Sequence, residues 1–228
     1  MSNDYKSLAS SILAKVDDRA TAADSCAQSL RISLSWLKNE LHDDCSHDLS
    51  ILLNGCYGSA MEAVCLISFG LVRPAVSSLR SHYELFLRYL YYRDHPVEWD
   101  ATKSYRAKSK LPGEIKKYFS EYFPDYKSRM TALEKCKNRS FVDCYDILSG
   151  IVHGSALNSI AGEIEMLDLV EKIEVVNQAV PIFEGTSECL SDICFALYSN
   201  NYPSLPTEAK KSLECRLSKK EIKNILDV

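Results

Sequence analysis

Apolar residues recur at positions 5, 8, 12, 16, 20, 23, 27, 30, 34, 37 and 41, in steps of three and four that draw one stripe down a helix. One long helix or two collinear ones would satisfy the pattern. It stops at "HDDCSHD", which reads as a connecting turn, and resumes through Leu49, Leu52, Leu53, Cys56, Ala60, Val64 and Ile67. Gly70 interrupts. Pro74, tolerated in a first turn, opens a helix over roughly 73–94 with Val76, Leu79, Tyr83, Phe86 and Leu90 on one face and Pro96 as its stop. Pro112 and Pro124 divide 97–137 into short helices with breaks.

A further helix is expected from about Ser140 to His153, carrying Phe141, Cys144, Leu148 and Ile151, with Gly154 placed to end it. A long helix over about 163–199 is expected to kink near Pro181, with Gly185 a point where it could split. In the tail, Thr207 after Pro206 suits an N-cap, and Ser218 has capping-box spacing to Glu221. No alternating strand pair is visible. The expected class is all-α, an up-and-down helical bundle over 1–202 followed by a C-terminal helical tail, 203–228.

At 228 residues, 46% hydrophobic and 25% charged, the chain has the size and balance of one globular domain. The longest apolar candidate, "AVCLISFGLV" from Ala63, falls short of the roughly 18 residues that span a bilayer. "MSNDYKSLASSILAKVDDR" lacks the order of a secretion signal, so the expected location is the cytoplasm, with no membrane partner. Nine cysteines, scattered singly without Cys-x-x-Cys pairs, fit a reducing compartment, and Cys65 in "EAVCLISF" reads as a small core residue. His42, Cys45 and His47, with Cys56 nearby, are zinc-ligand types, but their spacing matches no familiar closed site and a polar turn is the simpler reading. No phosphate-binding glycine loop, His-Glu-x-x-His helix or Gly-x-Ser-x-Gly elbow occurs, so no metal and no cofactor is expected.

Charge is uneven although the net value is only -4. Residues 101–139 hold eleven Lys or Arg against four carboxylates, +7, which leaves -11 for the rest. Tyr105, Tyr118, Phe119, Tyr122, Phe123 and Tyr126 are interleaved with them. Cations among aromatics suit phosphates and unpaired bases. A solvated helical hairpin with its aromatics turned to the core explains the same composition.

Two helices carry polar residues that need a reason. In the 73–94 helix, Arg73, Arg80, Glu84 and Arg88 form a stripe at spacings of seven, four and four, beside the aromatic-rich "HYELFLRYLYY". Exposed pairs of this kind contribute only about 0.2–0.5 kcal/mol each, and Arg before Glu is the weaker order. Burial of part of the stripe, with its charges paired, is the better explanation. In the helix ending at His153, Tyr145, Ser149 and His153 fall at intervals of four, with Asp146 seven before the histidine. An aspartate near a histidine can fix the ring's tautomer for proton transfer. A helix-terminal histidine held by the last carbonyls is the structural alternative.

"GLVRPAVSSLRSHYELFLRYLYY", followed some fifty residues later by "YDILSGIVHGS", resembles a bacterial branch of the HEPN-like helical superfamily, in which an Arg-x-x-x-Glu helix precedes a Tyr-x-x-x-Ser-x-x-x-His helix. The similarity covers roughly 50–160. It implies an α-helical bundle that commonly forms homodimers, with polar residues facing a cleft at the subunit interface. Many relatives are metal-independent endoribonucleases of toxin-antitoxin or antiviral defence systems; others are inactive RNA-binding or scaffolding modules. If the chain is catalytic, His153 would transfer protons and Arg80, should its helix pack beside that of His153, would stand in for the family's arginine and bind phosphate; Glu84 would position Arg80, and Tyr145 or Ser149, with Arg73 and Arg88 on the same stripe, would bind substrate. RNA and an antitoxin or other defence-system protein are the implied partners. The nuclease signature requires an Arg four to six intervening residues before the His. Asp146, Ile147 and Leu148 stand there instead, which keeps a non-catalytic homodimeric scaffold or regulator open as the second expectation.

Overall fold

The structure, a computed structural model, describes residues 2–42, 49–135, 143–153 and 169–226. Among them the chain forms eleven α-helices: α1 (Ser2–Ala14), α2 (Val16–His42), α3 (Ser50–Ser68), α4 (Val72–Arg93), α5 (Pro96–Lys103), α6 (Pro112–Tyr122), α7 (Tyr126–Glu134), α8 (Cys144–Val152), α9 (Ile173–Tyr198), α10 (Thr207–Arg216) and α11 (Lys219–Leu226), with a 3-10 turn at Ser199–Ser204. The described residues contain no strand, and the all-α helical bundle is as expected.

Four helices close a ring: α2 packs on α3, α3 on α4, α4 on α9, and α9 back on α2. The first three alternate in direction. The α3–α4 reversal is tight because Gly70, at φ 76°, ends α3 in a left-handed turn with Leu71 N–H on the Leu66 carbonyl and Gly70 N–H on that of Ile67. At this φ a side chain would be strained, and a Cβ on Gly70 would lie 2.6 Å from the Arg19 guanidinium carbon and force that head group to shift. Arg19 itself is buried, and it donates to the carbonyls of Phe69 and Glu171. After the α5–α8 excursion, α9 returns parallel to α2: Arg19 meets Glu171, Ser33 meets Ser187, and Trp36 meets Ser191.

A polar seam runs through the centre of this ring. His82 of α4 is fully buried; its Nδ1 lies 3.0 Å from the Cys56 carbonyl of α3, and its Nε2 3.1 Å from Ser33 Oγ of α2. A carbonyl only accepts, so the ring carries a proton on Nδ1 and donates it to Cys56 O, while Ser33 Oγ, which donates to the Leu30 carbonyl, lies against Nε2. Ser33 N–H then donates to Ser187 Oγ of α9, and Trp36 Nε1–H to Ser191 Oγ. One histidine and three serines thus tie all four helices at a fixed register, with no orphaned group of the kind that burial penalises.

Other expectations changed on contact with the structure. The first stripe is two helices broken at Lys15, one of the two arrangements the pattern allowed, but its buried line is not the one that apolar spacing draws. Ala23, Leu30 and Leu37 are on it, but Tyr5 and Ala20 are exposed, while Arg19, Cys26, Ser33 and Trp36 are buried. Cys65 is exposed rather than in the core, because Ala63 and Ile67 occupy the inward positions of that turn. Among the described residues α3 is long and apolar enough, by length and composition, to cross a membrane, although its apolar run is interrupted; its Leu52, Leu53, Cys56, Ala60, Ala63 and Ile67 side chains are buried in the bundle. Helix α9 runs unbroken through Pro181 and Gly185. Pro206, not Thr207, occupies the N-cap of α10. The capping box at Ser218 forms in both directions with Glu221. Helices α10 and α11 bury Ala209, Leu213, Leu217, Ile222 and Ile225 in the same core as the ring, and Arg216 forks onto the buried Asp192 of α9 at 2.7 and 3.2 Å. Cys45 and His47, with the side chain of His42 and Gly154, lie outside the described residues, and Cys56 is buried among apolar neighbours.

Burial pushes His82 down from 6.5 to about 4 despite the favourable Cys56 carbonyl. The fold therefore favours the neutral ring. Its contribution is complete above pH 6.5 and is lost as pH falls toward 4, because the unfolded chain takes up the proton first. Between pH 7 and 4.5 the wild type is expected to lose roughly 2–3 kcal/mol more than His82→Asn, which keeps a donor toward Cys56 without the titration. Urea denaturation at the two pH values measures this, and equal losses would refute it.

Candidate functional site

Helix α4 is buried on the sides that meet α3, α9 and α8, which leaves its Arg73, Arg80, Glu84 and Arg88 stripe along one edge. Helix α8 lies antiparallel beside that edge, pairing Arg73 with Val152 and Glu84 with Tyr145. Its start is set locally. Asp143 caps it by accepting from Tyr145 N–H at 2.9 Å and pairs with Lys116 of α6 at 2.7 Å, so α8 begins at Cys144; Ser140 and Phe141, expected in this helix, lie outside the described residues. Cys144 and Leu148 face the core, and Tyr145 stacks on Tyr83 with ring centroids 5.7 Å apart.

The two segments meet at Arg80. Its Nε donates to Glu84 Oε1 at 3.0 Å, its Nη2 to the Tyr145 hydroxyl at 3.0 Å, and its Nη1 lies 2.9 Å from His153 Nε2. Tyr145 in turn donates to Glu84 Oε1 at 3.1 Å, and Arg88 donates to Glu84 Oε2 at 3.3 Å and to the Lys110 carbonyl. Arg80 and Glu84 keep 20% and 19% of their side-chain surface, and His153 is exposed. Partial burial works against the Arg80 charge, but the Tyr145 hydroxyl and the Glu84 carboxylate outweigh it and hold the guanidinium above its already high value. Arg80 is a permanent cation, aimed by one carboxylate.

An arginine has only donors, so the 2.9 Å contact makes His153 Nε2 the acceptor and places the ring proton on Nδ1. Among the described residues no hydrogen bond joins Asp146 to His153, and Asp146 is exposed; the tautomer is set by Arg80, not by the aspartate that sequence spacing suggests. The backbone of His153 closes α8 through its N–H to the Ser149 carbonyl. Arg73, itself exposed, stands beside that end with Nη2 3.3 Å from the Val152 carbonyl. Ser149 is half-buried and supplies its carbonyl rather than its hydroxyl.

Sequence reasoning missed two contributors. Lys110 offers its carbonyl to Arg88, and Lys116 holds the cap of α8 through Asp143. Neither position carries a periodic signal. The basic segment is also less bare than its charge suggests: Lys103, Lys110, Lys116 and Lys117 pair with Asp100, Glu98, Asp143 and Glu121, and Arg129 is buried against the Ala196 carbonyl and Asn200. Of its aromatics, Phe119 and Tyr126 are in the core, Tyr118 and Phe123 pack against it, and Tyr105 and Tyr122 are exposed. No family model, curated protein or solved structure matches this chain.

The Arg80 contact makes a direct spectroscopic prediction. At a pH where its ring is neutral, His153 is expected to show the Nδ1–H tautomer in long-range proton–nitrogen NMR spectra, and Arg80→Ala is expected to release it to a tautomer mixture. An unchanged His153 pattern in that variant would mean that Arg80 does not set the ring.

Proposed function

We propose that the chain acts on RNA in the cytoplasm as an HEPN-like, metal-independent endoribonuclease of the type used in antiviral defence or toxin-antitoxin systems. The observation that carries this reading is the Arg80–His153 contact, which puts a permanent cation and an imidazole 2.9 Å apart at an open edge of the bundle. The two motifs that resemble that superfamily's contain the same two residues.

In this reading Arg80 holds a phosphate oxygen and His153 Nε2 takes the proton of the adjacent ribose 2'-hydroxyl. The 2' oxygen bonds to phosphorus, the bond from phosphorus to the 5' oxygen breaks, water supplies the proton that the leaving oxygen needs, and the hydroxide so formed takes the proton held by His153. The products are a 2',3'-cyclic phosphate and a 5'-hydroxyl. Glu84 directs the guanidinium, and Tyr145 links the two helices that carry the pair. Ser149, Arg73 and Arg88 line the edge along which the strand would lie.

One observation favours a second reading, a non-catalytic homodimeric scaffold or regulatory partner of a defence system. Three of the five Arg80 N–H groups and the His153 Nε2 lone pair are already engaged inside the protein, and Asp146, standing where the nuclease signature places an arginine, would repel phosphate.

Purified protein incubated with tRNA and bulk RNA decides between them. Cleavage that survives chelator, leaves cyclic phosphate ends, and falls about 100-fold or more in both Arg80→Ala and His153→Ala with circular dichroism unchanged is the expected result. No cleavage by the wild type under any condition, with native mass spectrometry showing a dimer, would support the scaffold.

A further inference from the structure

The end of α4 carries a second cluster: Tyr91 is buried in its last turns, His95 follows just past the helix, and beside them opens a cleft of about 640 Å³ lined also by Lys110, Lys117, Tyr118 and Tyr122, with the Glu114 and Glu121 side chains among its walls. That volume is in the range of small-ligand sites. The rings in it are ordered: His95 stacks on Tyr91 at 4.1 Å and 4°, Tyr118 meets His95 edge-on at 4.7 Å, and Tyr122 lies over Tyr118 at 5.0 Å and 31°. Tyr122 is 69% exposed although it belongs to this aromatic group.

The chemistry of the walls selects the occupant. Lys110 already places its ammonium 6.0 Å from the Tyr91 ring centroid while pairing with Glu98 at 3.2 Å, so a cationic guest would meet a resident cation. The Glu114 carboxylate is engaged by Leu111 N–H, and Glu121 by Lys117. Tyr91, His95 and Tyr118 pack on one another, and what stays open is the exposed Tyr122 ring beside them with polar groups around it, which suits an uncharged planar ring. The cleft is joined to the Arg80 edge through Arg88, whose Nε donates to the Lys110 carbonyl. Arg80 and Tyr91 stand eleven residues apart on one helix, about 16 Å, a few nucleotides of single strand.

We infer that this cleft is a base-stacking subsite, taking an unpaired nucleobase of the RNA strand whose backbone phosphate sits at Arg80. It rests on the proposed RNA reading for its substrate, and on its own ring geometry for its location. Stacking accepts every base, so the subsite gives the protein a preference for single-stranded over duplex RNA without strong sequence selectivity.

The test is a short single-stranded oligoribonucleotide carrying 2-aminopurine, titrated into the full chain, alongside adenosine 5'-monophosphate. Quenching of the fluorophore on binding, about fivefold or greater weakening of oligomer binding in Tyr122→Ala, and retention in Tyr122→Phe are expected. Tyr122 is exposed, so neither variant should disturb the fold, and circular dichroism checks this. Wild-type affinity in Tyr122→Ala, or binding without quenching, would overturn the subsite. If Tyr122→Ala weakens binding and Arg80→Ala does not, the cleft stands and the phosphate role of Arg80 fails. If only Arg80→Ala weakens binding, the cleft fails alone. Absence of binding by both probes removes both.

Discussion

The Glu84 carboxylate accepts from Arg80, Tyr145 and Arg88 together, and that one group determines the geometry of the whole polar edge. Arg80 and Arg88 project from the same helix edge eight residues apart, where their like charges would otherwise drive the long side chains into solvent. A single carboxylate between them, one turn from each, draws both guanidinium groups onto the surface of α4 and leaves the far edge of Arg80 directed at α8. The Glu84–Arg88 half has the orientation that helices favour and the Arg80–Glu84 half does not, so the reversed half needs the additional Tyr145 hydroxyl. The polar edge is therefore also what joins the short helix α8 to the bundle beyond its Cys144 and Leu148 contacts.

The apolar lines of α3 and α4 were legible because their core positions are large and aliphatic or aromatic: Leu52, Leu53, Val76, Leu79, Phe86 and Leu90 are all buried where spacing puts them. Helix α2 was misread by about one position because its inward line includes Arg19, Cys26 and Ser33, residues that hydrophobic counting scores as neutral or outward. His82 had no signature at all. A histidine in "LRSHYELF" looks like part of the charged stripe, and only the approach of Cys56 O and Ser33 Oγ from two other helices gives it a buried role. Long-range partners of this kind are invisible to periodicity.

The candidate site was legible for a different reason. Arg80 and Glu84 are four residues apart on α4, and Tyr145 and His153 stand eight apart, two steps of four, at the start and the C-cap of α8, so spacing places each pair on an edge whatever the tertiary structure. What spacing could not supply was the pairing across helices. Asp146 sits on α8 at a plausible distance in sequence from His153 yet turns to solvent, whereas the ring finds Arg80, 73 residues away. The basic segment shows the converse limit: a local surplus of +7 became a set of pairs with Asp100, Glu98, Asp143 and Glu121, so a charge count overstated the free positive surface.

Binding and cleavage make different demands on the Arg80–His153 pair. Each Nη of Arg80 retains one N–H that the described partners do not use, so a phosphate can be held while the bonds to Glu84, Tyr145 and His153 persist. Proton abstraction cannot proceed from that arrangement, because the lone pair that would accept the proton is occupied by Nη1–H. On the proposed RNA reading the imidazole would become a base only once the guanidinium is drawn away from it, and an anion is the natural agent, since a charged acceptor competes better for Nη1 than a neutral ring nitrogen. Phosphate binding at Arg80 would thus free His153 Nε2 at the moment a ribose hydroxyl is delivered beside it. A phosphate too shallow to move the guanidinium would leave a binding protein made of the same residues.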